Sequence, residues 1–186
     1  MARVQIVDPK SATGPARALL DVVQEQLGLI PNLTRVLANS PKALEGFLGL
    51  FGAASDFALD VATRERIALT VAEGNGCQYC VSAHTAIGRR SGLSSDEMLL
   101  NRRGQSGDAR AAAAVAFARR VNDSVGEVSA SEFAAARAAG LSDAEVVEII
   151  SLVALNFYTN VLCKTAHVDI DFPPVALLDH PLRAAA

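Results

Sequence analysis

The chain has 186 residues, 51% of them apolar and 5% aromatic, with no tryptophan and a net charge of −3. That length suits one domain with a sizeable core, or two small repeats. Interspersed charges leave no basic patch for nucleic acid. Met1-Ala-Arg-Val-Gln-Ile lacks the apolar stretch of a secretory signal. No apolar run approaches the roughly 18 to 20 residues of a membrane span. Three cysteines, an odd count, do not suit a secreted disulfide framework. The expectation is a reduced, cytoplasmic protein.

Much of the apolar content is alanine, and β-branched runs are few, which argues helix over sheet. Residues 1–14 form an extended lead-in, with Pro9 and Gly14 blocking regular structure. Pro15 opens a first helix carrying Leu19, Leu20, Val23 and Leu27, stopped by Gly28. Pro31 starts a short second helix to about Leu37, and Ser40-Pro41 opens a third with Leu44, Phe47, Leu48 and Phe51 on one side. Gly46, Gly49 and Gly52 lie three apart on another side, which fits close helix approach or plain loop character. Asp60 caps a helix over 61–73, and the next runs from about 77 to 91, ending at Arg89-Arg90-Ser91-Gly92. Further helices are expected to about Asn101, over 108–124, from Ser129 to Ala138 and over 143–166. The helical core spans about 15–168, and 169–186, with Pro173, Pro174 and Pro181, is an irregular arm.

Chemistry concentrates in Glu73-Gly-Asn-Gly-Cys77-Gln-Tyr-Cys80-Val-Ser-Ala-His84. Gly74-Asn75-Gly76 interrupts the helical pattern, so Cys77 falls at or near a helix N-terminus, where unpaired N–H groups favour a thiolate. Cys77, Cys80 and His84 then sit three and four apart on one helical face. A thiol pair with an imidazole one turn on is the constellation of an activated sulfur nucleophile. Two carboxylates compete as the histidine's partner. Glu73 ends its helix and is expected in solvent, whereas Glu65 sits in an apolar helix that folds back across the glycine turn. Pairing of Glu65 with Arg64 or Arg66 is the plain alternative.

A CxxC also serves as half a zinc site or as two buried small residues. Zinc would need a fourth ligand from Cys163, His167, a glutamate or another chain, and no second CxxC is present. Nothing in the pattern reads as a strand, so the fold is not thioredoxin. Asp60, Glu65, Leu69, Cys80, Ala83 and His84 recur 83 residues later as Asp143, Glu148, Leu152, Cys163, Ala166 and His167. An internal duplication explains this echo. The second copy has Asn160 in place of Cys77 and no glycine break, and is expected to be structural.

The pattern Glu65-x11-Cys77-x2-Cys80-x3-His84 closely resembles the alkylhydroperoxidase D-like branch of the carboxymuconolactone decarboxylase superfamily. Leu27-Gly-Leu-Ile-Pro-Asn-Leu and Asp169-Ile-Asp-Phe-Pro-Pro look like its peroxidase-related members, so the resemblance spans nearly the whole chain. It implies an all-α, multihelical domain over 1–186 that oligomerises as trimers or hexamers, and thiol peroxidase chemistry with no metal or other cofactor. By resemblance Cys80 is the peroxidatic cysteine, Cys77 the resolving one, His84 the base and Glu65 the carboxylate that orients it. An external dithiol protein would reduce the Cys77–Cys80 disulfide. The helix dipole alone favours Cys77 as the thiolate, but a specific base one turn from Cys80 outweighs a dipole. Tyr79 stands where some members carry a second histidine, and a phenol there can donate a hydrogen bond as an auxiliary. A thiol–disulfide oxidoreductase or redox sensor uses the same cysteines, and carboxymuconolactone-type decarboxylation ranks below both.

Overall fold

Helix starts follow the capping signals. The computed structural model describes residues 1–178. It opens with an extended segment leading to α1 (Gly14–Leu27), which ends at Gly28 in the left-handed conformation. Pro31 sets the start of α2 (Asn32–Leu37), and Ser40 accepts the Ala43 N–H ahead of α3 (Pro41–Ser55). Asp60 does the same from Thr63 for α4 (Val61–Gly74), and Cys77 precedes α5 (Gln78–Arg90). Ser94 and Asp108 cap α6 (Ser95–Arg102) and α7 (Ala109–Asp123). Ser129 with Glu132 and Ser142 with Glu145 form full capping boxes for α8 (Ala130–Ala138) and α9 (Asp143–Ala166). No strand occurs among the described residues.

The α4 helix is the centre, buried on every side from Ile67 to Glu73 and packed against α5, α6, α7 and α9. Its Ile67 and Val71 join Leu20, Leu44, Phe117 and Ile149 in the main apolar core. Each such side chain, fully buried, contributes about 1.5–3 kcal/mol. A second apolar layer lies on the other side of α4 and α5, formed by Val36, Ala72, Tyr79, Val81, Ala166 and the three cysteines. The sulfur chemistry therefore sits inside a hydrophobic layer.

Ile6 from the N-terminal segment and Ile170, Phe172, Val175 and Leu177 from the arm cover that layer. The arm is tied down by its backbone. The Asn32 amide side chain donates to the Asp169 carbonyl (2.9 Å), and Val175 N–H donates to Ser82 Oγ (3.0 Å). Arg102 donates to the Ala176 carbonyl (2.6 Å), and Leu178 N–H to Glu73 (3.0 Å). Pro181 and the rest of the expected arm, 179–186, lie outside the described residues.

Three expectations are corrected. Glu73 is not solvated: it is 5% exposed and ion-paired with Arg102 at 2.7 Å, because α6 and the arm close over the end of α4. Gly46, Gly49 and Gly52 are helical, yet a Cβ on any of them would meet nothing within 4 Å. They serve no close approach among the described residues. Finally, α9 is long and apolar enough by length and composition to span a membrane. Half of its most apolar stretch is buried in this fold, against α3, α4, α5 and α7.

Candidate active site

The glycine break between α4 and α5 builds the site. Gly76 adopts a positive φ of 67°, which glycine takes without steric cost, and Cys77 N–H donates back to the Ala72 carbonyl (2.9 Å). Asn75 anchors the break: its side chain donates to Asn122 (3.0 Å) and Asn160 (3.1 Å), and its carbonyl accepts from Lys164 (2.6 Å). Cys77 is thereby the N-cap of α5, its Sγ accepting the Cys80 N–H at 3.3 Å. Cys77 and Cys80 form a disulfide with their Cα atoms 5.3 Å apart, and both are buried, at 1% and 3% exposure.

Turning the chain at Gly76 also lays α5 back against α4. His84 Nδ1 meets Glu65 Oε2 at 2.9 Å, with side chains 21% and 14% exposed. A carboxylate on Nδ1 favours the tautomer whose Nε2 carries the free lone pair, the form able to take a proton. The flanking arginines are occupied elsewhere, Arg64 on the Ala54 and Ser55 carbonyls and Arg66 on Glu97. Glu65 is left to the imidazole.

Tyr79 lies on the same helix, but its hydroxyl is engaged by the Leu33 N–H (3.2 Å) and by Asp171. Its ring meets Phe172 edge-on at 5.8 Å. Burial first, then the charge of Asp171, pushes its pKa above the ordinary phenol value despite the Leu33 hydrogen bond. It is a protonated strut between the α2 entrance and the arm.

In the echoed copy α9 runs unbroken, so Glu148 and His167, 19 residues apart, are separated by about 28 Å along one helix. Glu148 instead accepts the Ala58 and Leu59 N–H groups, and His167 is an exposed left-handed C-cap. Cys163 is the exception. Its Sγ and those of Cys77 and Cys80 all lie within 4.8 Å of one another. Burial, with the Asp171 charge, pushes the Cys163 thiol up to about 12, so it stays protonated and is a poor nucleophile. The sequence pointed to Cys163 through the echo, which set it opposite Cys80, and as one of several possible fourth ligands of a zinc site, but gave no sign that α9 brings it to the pair. Nothing in the sequence pointed to Arg102 or Asn122, and Asn75 and Asn160 stood out only as part of the glycine break and as the echo of Cys77, not as partners.

Residues 41–120 match the Carboxymuconolactone decarboxylase family. Among solved structures, a peroxidase-related protein with the alkylhydroperoxidase AhpD core from Ralstonia eutropha JMP134 has a TM-score of 0.80 at 24% identity, covering 91% of this chain and 92% of that one. A peroxidase-related protein from Silicibacter sp. TM1040 has a TM-score of 0.78 at 21% identity, covering 94% and 92%. The debrominase Bmp8, in complex with 2,3,4-tribromopyrrole, has 0.77 at 20% identity, covering 92% and 94%. No curated protein matches the chain significantly. The all-helical fold is that of the alkylhydroperoxidase D-like proteins, and the match to the carboxymuconolactone decarboxylase family covers α3 to α7 within it. A buried Cys77–Cys80 pair in this fold fits a redox role.

Proposed function

We propose that the protein is a thiol peroxidase that reduces organic or hydrogen peroxide at Cys80. The observation that carries this is the Glu65–His84 contact, placed one helical turn beyond a cysteine that already forms a disulfide with its neighbour. His84 takes the Cys80 thiol proton, and Glu65 stabilises the imidazolium. The Cys80 thiolate attacks the O–O bond. One oxygen stays on sulfur as sulfenic acid, and the other leaves as alcohol or water with the proton from His84. The Cys77 thiol then displaces water to close the disulfide, and a dithiol protein reduces it by exchange. The chain supplies all of these groups without a metal or organic cofactor. A cytoplasmic setting, where dithiol reductants are held reduced, suits the cycle.

Stopped-flow oxidation of the reduced protein by cumene hydroperoxide, with intact-mass readout, tests the reading. Wild type loses two hydrogens, and Cys77→Ser traps a sulfenic acid that Cys80→Ser does not. Oxidation no faster than that of a free thiol, with ready oxidation by small disulfides, would make the protein a thiol–disulfide relay instead. The similarity to a debrominase supports a second reading, reductive dehalogenation of a halogenated aromatic by the same pair. Bromide release from 2,3,4-tribromopyrrole in the presence of dithiol measures it.

The protein is also proposed to work as a homo-oligomer. Val147, Ile150, Phe157 and Val161 are exposed along α9 at spacings of three, seven and four, an apolar stripe with no cover among the described residues.

A further inference from the structure

The peroxide cycle uses two of the three thiols, yet the fold gathers all three. Cys77 and Cys80 come from the head of α5 and Cys163 from the last turn of α9, and their sulfurs lie within 4.8 Å of one another. Each is 3% exposed or less. We propose that the reduced protein binds one soft, thiophilic cation of the Cu(I) class through Cys77, Cys80 and Cys163, and that the Cys77–Cys80 disulfide excludes it.

Three sulfurs with no nitrogen or oxygen ligand form a donor set selective for Cu(I) over harder ions. Metal–sulfur bonds of about 2.3 Å set the sulfurs of a trigonal site about 4 Å apart, so Cys163 already stands at the right range from both partners. Zinc is served less well, because it takes a fourth ligand, and among the described residues no His, Asp or Glu ligand atom joins the three sulfurs. Val36, Ala72, Val81 and Val168 surround the cluster, and an apolar shell favours a singly charged ion with a small ligand number. Both cysteine-bearing segments are fixed independently of the sulfurs: the Asn75 cluster holds the α4–α5 break, and Val168 N–H donates to the Cys163 carbonyl at the end of α9.

No electron moves in the binding step. Copper stays Cu(I), the sulfurs stay reduced, and the displaced thiol protons go to solvent. In the disulfide form two of the three donors are bonded to each other and unavailable. Cu(I) and peroxide then compete for the same reduced state, and by linkage bound Cu(I) opposes oxidation of the pair.

The test is anaerobic competition of reduced full-length protein against bathocuproine-buffered Cu(I), with no peroxide present, so it stands apart from the peroxidase experiment. The expected result is one equivalent of Cu(I) per chain, none on the disulfide form, and at least tenfold weaker binding by Cys163→Ser. X-ray absorption of copper-loaded wild type counts the ligands without relying on a variant, and three sulfurs are expected. No uptake by the reduced protein, two sulfurs, or unchanged affinity in Cys163→Ser would each overturn the proposal.

Discussion

In the proposed cycle Glu65 and His84 act as one unit, so either substitution removes most of what the pair supplies. Glu65→Gln keeps the shape and a hydrogen-bond acceptor but removes the charge that stabilises the imidazolium. It is expected to slow oxidation of the reduced protein by roughly 100-fold, the lower range of general-base effects, as read by stopped flow. Tyr79→Phe is the contrasting case. It leaves the Leu33 N–H without its acceptor, and should cost about 1–3 kcal/mol in urea unfolding while leaving the oxidation rate nearly unchanged. At this scale the sequence was legible wherever partners lie within one turn, or across one turn of chain. The CxxC with its histidine is local, and Glu65 is brought to His84 by a break marked by two glycines. Glu73 was misread because its partner Arg102 comes from a helix 29 residues away, whose approach leaves no local trace.

Among the helices, the contrast between α4–α5 and α9 shows what the glycine break does. The same spacing of Glu, Cys and His makes a contact where the chain turns and a 28 Å separation where it does not. The caps made nearly every helix boundary readable, because Ser, Asp and Pro mark starts by satisfying or lacking orphan N–H groups. The hold of α6 on the turn before α7 is electrostatic. Burial of Glu97 would raise its pKa, but hydrogen bonds from Ser106, Asn101, Gly107 and Arg66 outweigh that and bring it down to about 2. With an unfolded value of 4.5, its contribution is fully present above that pH and is lost as pH falls to about 2. Urea midpoints measured across that window should fall more steeply in wild type than in Glu97→Gln.

Across the molecule, the N-terminal segment and the arm meet over the second apolar layer. No periodicity encodes their path, since an irregular segment is placed by single contacts such as Asn32 to Asp171 (2.7 Å). The buried Arg102–Glu73 ion pair fastens the arm, and Arg102→Met removes the cation that balances the buried carboxylate, which keeps its hydrogen bond from the Leu178 N–H. A loss of about 3–5 kcal/mol of stability is expected, measured by chemical denaturation. The α9 stripe belongs to this scale too. Phe157→Glu places a charge within it and should shift the mass measured by light scattering from an oligomer to a monomer, with helical content kept. A wild-type monomer at micromolar concentration would refute the assembly.

The N-cap position of Cys77 ties helix geometry to redox state. In the disulfide its sulfur is held against the Cys80 N–H as an acceptor, whereas the Cys77 thiol of the reduced pair is free to rotate away from it. The Cys80 amide proton should therefore exchange with deuterium faster in the reduced protein than in the oxidised one. One backbone NMR signal would then report the oxidation state from within the helix, with no label attached to either sulfur.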